Sequence, residues 1–292
     1  MKKILFVGVF TDLNSTNISQ SRGFKSNGCE VINYDYRDRL RKLSNINKRD
    51  DELINLVKEE TPDLVLFSKC NMMHYRVIDE CNKVSKTCLW YMDASNNFDT
   101  ELIEKIKRVN ICISGVEEIK NTMLKYNEKS VFLHQCPDEL LNYKIESCNK
   151  TIDCLFIGSM SSTMHSDRKK YLDKVGFTYK NGVFGEEHNL LVNQTKVNLS
   201  FSPTDSSGVS VRLYKLMASG GFVLTTPWNG IEKTFKVGEH LDVFNSPEEL
   251  KEKIDYYLVN ENLREKIARC GNKYVLNNFM PNKWASKILD LI

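Results

Sequence analysis

Residues 207–226 have the sequence SGVSVRLYKLMASGGFVLTT, which predicts a helix that runs directly into a strand. The Gly-Gly pair at 220–221 lets the chain turn sharply between the two, because glycine has no Cβ. The apolar run that follows, FVLTT, is typical of a buried strand. Four residues of the predicted helix recur at the spacing of one buried face: Val209, Leu213, Leu216 and Met217. The stretch therefore indicates a sheet whose strands are joined by helices.

The same predicted helix, which begins at about residue 207, also has a polar side. Arg212, Lys215 and Ser219 share a face that points toward a cleft or toward solvent. Ser207 and Gly208 stand at its start, and free backbone amides at a helix N-terminus attract anions. Charged helix faces are also commonly just solvated. The stretch by itself leaves both an anion site and an ordinary packing helix open.

The first half of the chain repeats the alternation of strand and helix. Helical patterns at 51–60 and 101–109 lie between nearly continuous apolar runs, which favour a parallel sheet covered on both faces. The runs occupy residues 4–10, 30–34, 63–68, 87–92, 111–114 and 131–135. We expect residues 1–140 to form one doubly wound, Rossmann-like domain.

A second series begins after residues 138–151, which resemble an interdomain connection. The sequence SPEE at 246–249 is a capping box with proline at the first helical position. The second series has strands at 153–160, 197–202, 221–226 and 241–244, with a helix at 168–175. The prediction is an α/β protein of two Rossmann-like domains, 1–140 and 151–275, whose parallel sheets face a central cleft. Residues 276–292 form a C-terminal helix that packs back on the N-terminal domain.

Composition excludes several classes of protein. The 292 residues carry a net charge of +3, and no apolar stretch reaches the roughly 18 residues of a membrane span. The nine cysteines form no C-x-x-C pair and favour buried thiols in a reducing compartment. No D-x-D pair follows a strand and no histidines and cysteines cluster, so we expect no metal site. The protein is predicted to be cytoplasmic.

Ligands of such sheets bind beyond the carboxyl ends of the strands, so the residues there are the candidates. Gly8 ends the first run without a G-x-G-x-x-G fingerprint. Asn14 and Ser15 follow in the loop, where they contact a ligand or cap the next helix. Asp93 follows the fourth run as a turn residue or as a carboxylate that acts on a hydroxyl group. His134 closes the sixth run as a second catalytic candidate or a structural histidine.

The second half has its own strand-end candidates. Gly158 and Ser159 follow an apolar run, and Arg168 begins the next helix. Small residues and a guanidinium at such a junction suit a diphosphate. The alternative is a solvated basic turn, since Lys169 and Lys170 follow directly.

Basic residues also cluster at 37–49 in the first half, where we expect a solvated loop that precedes helix 51–60. A nucleic-acid ligand is the other interpretation of such a cluster. That ligand would make binding depend steeply on salt concentration.

The residues quoted at the outset resemble a known family. RLYKLMASGGFVLTT at 212–226 is similar to the R-x-F-E-x-x-A-x-G-G-F-x-L-T signature of CgeB-like and group-1 glycosyltransferases of GT-B architecture. NGIEKTFKVGEHL at 229–241 resembles the family's downstream motif, and the pattern at 263–279 fits its closing helix. The resemblance covers about residues 150–280. In the first half only the strand order and the W-x-x-D of residues 90–93 match.

The resemblance implies transfer of a sugar from a nucleotide-diphosphate donor, held by the C-terminal half, to a hydroxyl acceptor, without a cofactor. In related retaining families two glutamates eight residues apart bind the donor sugar and the ribose, whereas Ser207 and Lys215 stand at those positions here. Lysine cannot accept hydrogen bonds from a ribose diol, although it can bind a phosphate. The resemblance therefore assigns donor contacts to Gly208 and Arg212, and to Lys215 by position only.

Two other functions fit the same residues. A nucleotide-sugar epimerase would share the donor site, and a degenerate GT-B module would bind the donor without turnover. The departures at Ser207 and Lys215 favour the module, whereas the glycines and Arg212 favour the transferase. The sequence is compatible with a polysaccharide, a protein, a metabolite or modified DNA as the acceptor. Retention or inversion at the sugar carbon and the oligomeric state stay open too.

Overall fold

The structure is a computed structural model that describes residues 1–12, 14–93, 98–160, 166–202 and 210–292. The chain divides into two compact units. The first comprises Met1–Gln135 together with Pro281–Ile292, and the second comprises Cys136–Met280.

The first unit is built around a six-stranded parallel sheet in the order β2-β1-β3-β4-β5-β6. Its four central strands are buried on both faces, which explains their nearly continuous apolar sequences. The elements in chain order are β1 (Lys3–Gly8), α1 (Thr16–Ser26), β2 (Glu30–Asp35), α2 (Tyr36–Leu43), α3 (Ile46–Glu60), β3 (Leu64–Ser68), α4 (Arg76–Cys81), β4 (Lys86–Tyr91), α5 (Thr100–Arg108), β5 (Ile111–Ser114), α6 (Glu117–Met123) and β6 (Ser130–Phe132).

The second unit has a five-stranded parallel sheet in the order β11-β10-β9-β7-β8. The helix that begins at Pro247 has the predicted N-cap, since the Ser246 hydroxyl accepts a hydrogen bond from Glu249 N at 3.1 Å. The elements are β7 (Ile152–Ile157), α7 (Ser166–Val175), β8 (Thr178–Lys180), α8 (Gly185–Gln194), β9 (Thr195–Ser200), α9 (Val211–Ala218), β10 (Val223–Thr225), α10 (Ile231–Thr234), β11 (Asp242–Val243), α11 (Pro247–Val259) and α12 (Glu261–Asn278).

A last helix, α13 (Pro281–Leu289), belongs to the first unit and packs on α1. The Trp284 ring lies edge-on to Phe24 and to Trp90, with ring centroids 5.7 and 5.4 Å away. Gly23 allows the close approach of the two helices, because a Cβ there would lie 2.2 Å from the Pro281 carbonyl oxygen. The first unit is therefore assembled from two separate parts of the sequence.

The segment 136–151 lies in the second unit, where two buried asparagines of α8 bind its backbone. Asn189 Oδ1 accepts a hydrogen bond from Tyr143 N at 3.1 Å, and Asn193 Oδ1 accepts one from Ile145 N at 2.8 Å. The Asn193 amide also donates to the Tyr143 carbonyl at 3.1 Å. Side-chain amides thus supply the pairing that a neighbouring strand would otherwise give to this irregular backbone.

The expectation of a solvated basic loop at 37–49 was wrong. These residues form α2 and the first turn of α3, because acidic partners stand within reach of their basic side chains. Arg39 pairs with Glu52, and Lys42 pairs with Asp38 at 2.7 Å. Arg49 is fully buried, with its Nε 2.9 Å from Asp50 Oδ1. Arg39, Lys42 and Arg49 therefore have acidic partners, whereas Arg37 and Lys48 are exposed to solvent.

All nine cysteines are free thiols, and six of them are buried: Cys70, Cys81, Cys88, Cys112, Cys136 and Cys154. In the part of the chain that the structure describes, no helix is both long and apolar enough to span a membrane.

Candidate functional site

The second sheet reverses its strand order next to β7. β7 pairs with β8 on one side and with β9 on the other, so the connections that leave β7 and β9 diverge. Ligands of open α/β sheets bind at the carboxyl edge where such a reversal occurs. Gly158 and Ser159 follow β7 at this edge, and α9 begins after the connection that leaves β9.

Arg212 reaches this edge from the first turn of α9. Ser210 caps that helix, since its hydroxyl accepts a hydrogen bond from Arg212 N at 3.3 Å. The guanidinium then donates from Nε to the Ile157 carbonyl at the end of β7, over 2.8 Å. It also stacks on the Phe156 ring, with its central carbon 4.9 Å from the ring centroid. These contacts fix the side chain at the sheet edge.

Arg168 of α7 joins Arg212 on the same aromatic ring. Its guanidinium carbon lies 5.4 Å from the centroid of Phe156, and its Nη1 donates to the Ser159 carbonyl at 2.9 Å. Burial lowers the pKa of both arginines, and the charge of Arg168 lowers that of Arg212 further. Neither forms an ion pair with a carboxylate among the residues described here. Two neighbouring cations without an acidic partner form a site for a dianion.

Gly158 makes room for this arrangement. A Cβ at that position would lie 2.6 Å from Arg212 Nη2 and 2.9 Å from the far carbon of the Phe156 ring. Any other residue would displace the guanidinium from the sheet edge. The structure therefore brings four predicted residues together: Gly158, Ser159, Arg168 and Arg212.

The other predicted residues of this region are placed differently. Ser207 and Gly208 lie outside the described residues, so the helix is described only from Val211 onward. Lys215 lies one turn beyond Arg212 and is half-buried. Ser219 was wrongly expected on a cleft or solvent face. It is fully buried at the end of α9, beside carbonyls of that helix that bind an amide of α12.

His188 of α8 is a residue of this region that the sequence did not single out. It is 8% exposed, and its Nδ1 has no hydrogen-bond partner among the described atoms. Burial and then the charges of Lys215 and Arg212 lower its pKa to about 4. Those charges act on it only in the folded chain, which the sequence spacing does not reveal.

The first sheet reverses its order between β1 and β3. Ser15 lies there as the cap of α1, since its hydroxyl accepts a hydrogen bond from Asn17 N at 3.3 Å. Asn14 is exposed, and its backbone N donates to Asp12 Oδ1 at 2.9 Å. Gly8 accommodates a neighbouring side chain, since a Cβ there would lie 2.4 Å from Asn17 Nδ2. These contacts give all three residues a role in building the loop.

Asp93 follows β4 at the same edge of the first sheet and forms an ion pair with Lys69, which follows β3. The backbone of Lys69 and Cys70 is left-handed, with φ of 57° and 55°. That conformation is uncommon away from glycine and is retained only where surrounding contacts hold it. The buried Lys105 ammonium is such a contact, since it donates to the Cys70 carbonyl at 2.7 Å. Lys69 is therefore held in place beside Asp93.

His134 lies two residues beyond β6, half-buried, with its ring 4.6 Å from that of Phe132. Burial and then the charge of Lys287 lower its pKa to about 4. It is therefore neutral at neutral pH. Asp93 follows β4, so the two catalytic candidates follow strands that are separated by β5 in the sheet.

No group of three or more histidine, cysteine, aspartate or glutamate side chains suited to a metal ion occurs within the described ranges. The site at β7 is cationic, and a metal ion would need oxygen, nitrogen or thiolate ligands instead.

Comparisons with known proteins agree with this arrangement. A family model described as glycosyl transferase-like matches residues 142–290. A comparison with curated proteins gives no match.

Solved structures match over nearly the whole chain. HepE of Anabaena in complex with UDP-glucose has a TM-score of 0.69 at 9% identity, with 100% of each chain covered. Sucrose-phosphate synthase of Thermosynechococcus elongatus has a TM-score of 0.69 at 10% identity, with 100% of this chain and 98% of that one covered. A glycosyltransferase of Rickettsia africae has a TM-score of 0.69 at 15% identity, over 99% and 97%. These likenesses confirm the predicted GT-B fold of two Rossmann-like units.

Proposed function

The chain belongs to the glycosyl transferase-like family, and from that premise we propose that its second unit holds a nucleoside-diphosphate sugar whose sugar passes to an acceptor hydroxyl. The chain is thus a glycosyltransferase, and the predicted enzyme class is confirmed by its family. The proposal adds where the donor binds and which residues contact it.

The observation that carries the proposal is the pair of guanidiniums on Phe156. Arg168 and Arg212 are each anchored to a carbonyl at the end of β7, so their remaining N–H groups are available to a ligand. Arg212 Nη1 is buried and has no hydrogen-bond partner among the described residues. A diphosphate supplies both the negative charge and the acceptor oxygens that this nitrogen lacks. We assign the diphosphate to this edge, beside Gly158 and Ser159.

This placement accounts for the chemistry of the donor half. The bond between the sugar and the diphosphate breaks, and negative charge accumulates on the leaving diphosphate. Cations fixed before the reaction stabilise that charge without reorganising. No nucleophilic side chain is required for this step.

The acceptor half of the proposal rests on Asp93. A carboxylate at the end of a strand, held by Lys69, orients the acceptor hydroxyl and accepts its proton if the reaction inverts the sugar carbon. We also infer, from the signature at 212–226, that the chain is a CgeB-like member of this family. The free thiols favour a cytoplasmic location. UDP is the first nucleotide to test, because HepE was solved with UDP-glucose.

Calorimetry with UDP, dTDP, GDP and ADP tests the donor site. Arg212→Ala should weaken binding of the preferred nucleotide about 10- to 100-fold, the range for loss of a charge-assisted hydrogen bond. Arg269→Ala is the matched control, because Arg269 is exposed on α12. A folded Arg212→Ala protein with wild-type affinity would remove the diphosphate from this edge.

Incubation with the nucleotide sugars then separates the candidate functions. A transferase slowly hydrolyses its donor and releases free nucleoside diphosphate. An epimerase interconverts the sugar, and a binding module leaves the donor intact.

A further inference from the structure

The solvent-facing side of α12 carries three basic side chains that the proposed reaction does not use. The helix packs on α9 and α11 with its other side, and Lys266, Arg269 and Lys273 are exposed. Because these residues stand three and four positions apart, they share one face of the helix. None of them forms an ion pair with a carboxylate in the part of the chain that the structure describes. The face is therefore cationic along two turns.

The acidic residues of this region do not neutralise that face. The two acids of α12, Glu261 and Glu265, stand beside the buried Arg264, with their Oε1 atoms 3.3 and 3.7 Å from its guanidinium nitrogens. After Glu265 the helix contains no acidic residue, so its three cations give that part a charge of +3. On α11, Glu252 and Asp255 are exposed, but neither lies within ion-pair distance of α12 in the described structure.

The corner between α11 and α12 exposes apolar side chains next to this face. Val259 ends α11 with 81% of its surface accessible to solvent, and among the described residues only Met1 is a more exposed large apolar residue. Tyr256, three residues earlier, is 49% exposed, and Leu263 in the first turn of α12 is 36% exposed. Apolar surface of this kind gains free energy when it leaves water. The corner therefore favours a partner that offers an apolar layer.

We propose that the α11–α12 corner and the basic face of α12 together form a docking surface for an anionic lipid membrane. The three cations contact lipid phosphates, while Val259 and Tyr256 enter the boundary between headgroups and acyl chains. A nucleic acid would match the cations, but its sugar-phosphate backbone offers nothing to the apolar corner. The surface belongs to the second unit alone and goes beyond the transferase activity. It does not depend on the donor site.

Co-sedimentation of the whole chain with lipid vesicles tests this proposal. Vesicles of phosphatidylcholine with about 30% phosphatidylglycerol should bind the protein about 10-fold or more tightly than vesicles of phosphatidylcholine alone. High salt should release it, because ions screen the attraction. The triple variant Lys266→Ser, Arg269→Ser, Lys273→Ser should bind the anionic vesicles about 100-fold more weakly, at about 5-fold for each cation.

A second triple variant is the matched control. Lys48, Lys86 and Lys129 are exposed in the first unit, and their replacement by serine removes the same total charge. This variant should keep the wild-type affinity for the anionic vesicles. Val259→Ser tests the apolar corner separately and should weaken binding about 3- to 10-fold without changing its dependence on salt.

Several outcomes would overturn the docking surface. Wild-type protein that stays in solution with the anionic vesicles at low salt excludes it. Equal losses in the two triple variants would show that only the net charge matters, and unchanged binding by Val259→Ser would remove the apolar corner. A short DNA duplex that binds more tightly than the vesicles, and only while the cations of α12 are present, would assign the face to nucleic acid instead. Circular dichroism establishes that each variant is folded.

Discussion

Asp93 and Lys69 form the ion pair that we assign to the acceptor side of the proposed reaction. Their backbones follow neighbouring strands, β4 and β3, so the pair stands at the carboxyl edge of the sheet. The ammonium orients the carboxylate, whose oxygen is the group that would accept a proton. Asp93 retains an exposed side, with 44% of its side chain accessible to solvent. A hydroxyl ligand can therefore reach the carboxylate without breaking the pair.

Asp93→Asn tests this role. If the enzyme inverts the sugar carbon, turnover should fall about 100-fold or more, because the amide cannot accept the proton. If it retains configuration, the leaving diphosphate takes the proton, and the change should raise the KM for the acceptor instead. Initial rates with both substrates distinguish the two cases.

Asp290→Asn is the control, because Asp290 is exposed just beyond α13. Melting curves are needed alongside, since a structural aspartate would reduce stability and activity together. A stably folded Asp93→Asn enzyme with unchanged kinetic constants for donor and acceptor would exclude Asp93 from the site.

At this scale the sequence predicted residues that follow strands and missed residues that depend on packing. Gly158 and Arg168 were predicted from their positions at the junction that follows a strand, and Arg212 was predicted from the helix that begins the family signature. Lys69 also follows a strand, and the same rule would have found it. His188 could not be identified, because its position in a helix gives no sign of the two cations that packing brings beside it.

Among the elements, the turn after β3 depends most on buried charge. Met72 continues the left-handed backbone of this turn with φ of 60°, and its carbonyl accepts a hydrogen bond from Arg49 Nη2 at 2.6 Å. Asp50 pairs with Arg49 and accepts a hydrogen bond from His74 N at 3.2 Å. One buried ion pair of α3 thus holds the far end of the turn that begins at Lys69.

Arg49→Met should destabilise the first unit by about 3–5 kcal/mol, because it leaves the Asp50 carboxylate buried without its partner. Urea denaturation measures the change. Asp50→Asn in the Arg49→Met background should recover part of the loss, since the amide carries no charge.

Lys48→Met is the control on the same helix, because Lys48 is exposed and should change stability by less than about 0.5 kcal/mol. A loss of less than about 1 kcal/mol in Arg49→Met would contradict the proposed role of the pair, given the usual cost of an unpaired buried charge.

The elements that the sequence predicted are more deeply buried than the elements that it missed. Strands that are buried on both faces have continuous apolar sequences, which makes them easy to predict. At 111–114, for example, the predicted and observed bounds coincide. β8 has three residues, all exposed, and so lacks that signal. α2 was missed because its residues are mostly charged, and its ion pairs to α3 depend on the fold.

For the whole molecule, the largest departure from a simple series of domains is the return of α13 to the first unit. Trp284 is 2% exposed and fills the space against Phe24 and Trp90. Trp284→Ala should cost about 3–5 kcal/mol, the range for removing a large buried aromatic side chain. The cost should fall on the first unit alone.

Hydrogen exchange measured by mass spectrometry resolves the two units. Protection should drop in peptides from α1 and β1 and stay constant in peptides from β7 and β9. Lys283→Ala, one residue away and exposed, should leave both sets unchanged. Equal loss of protection in the two units would show that they unfold together and would contradict the prediction that the cost falls on the first unit alone.

The discontinuous first unit also sets the order in which a newly made chain can complete itself. The ribosome adds the whole second unit, residues 136–280, before it reaches α13. At about 5–20 residues per second this takes on the order of ten seconds. Throughout that interval the nascent first unit lacks the helix that covers Phe24 and Trp90, while the contiguous second unit can finish. During this interval, chaperones that bind exposed aromatic surface can therefore bind the first unit, although it was synthesised first.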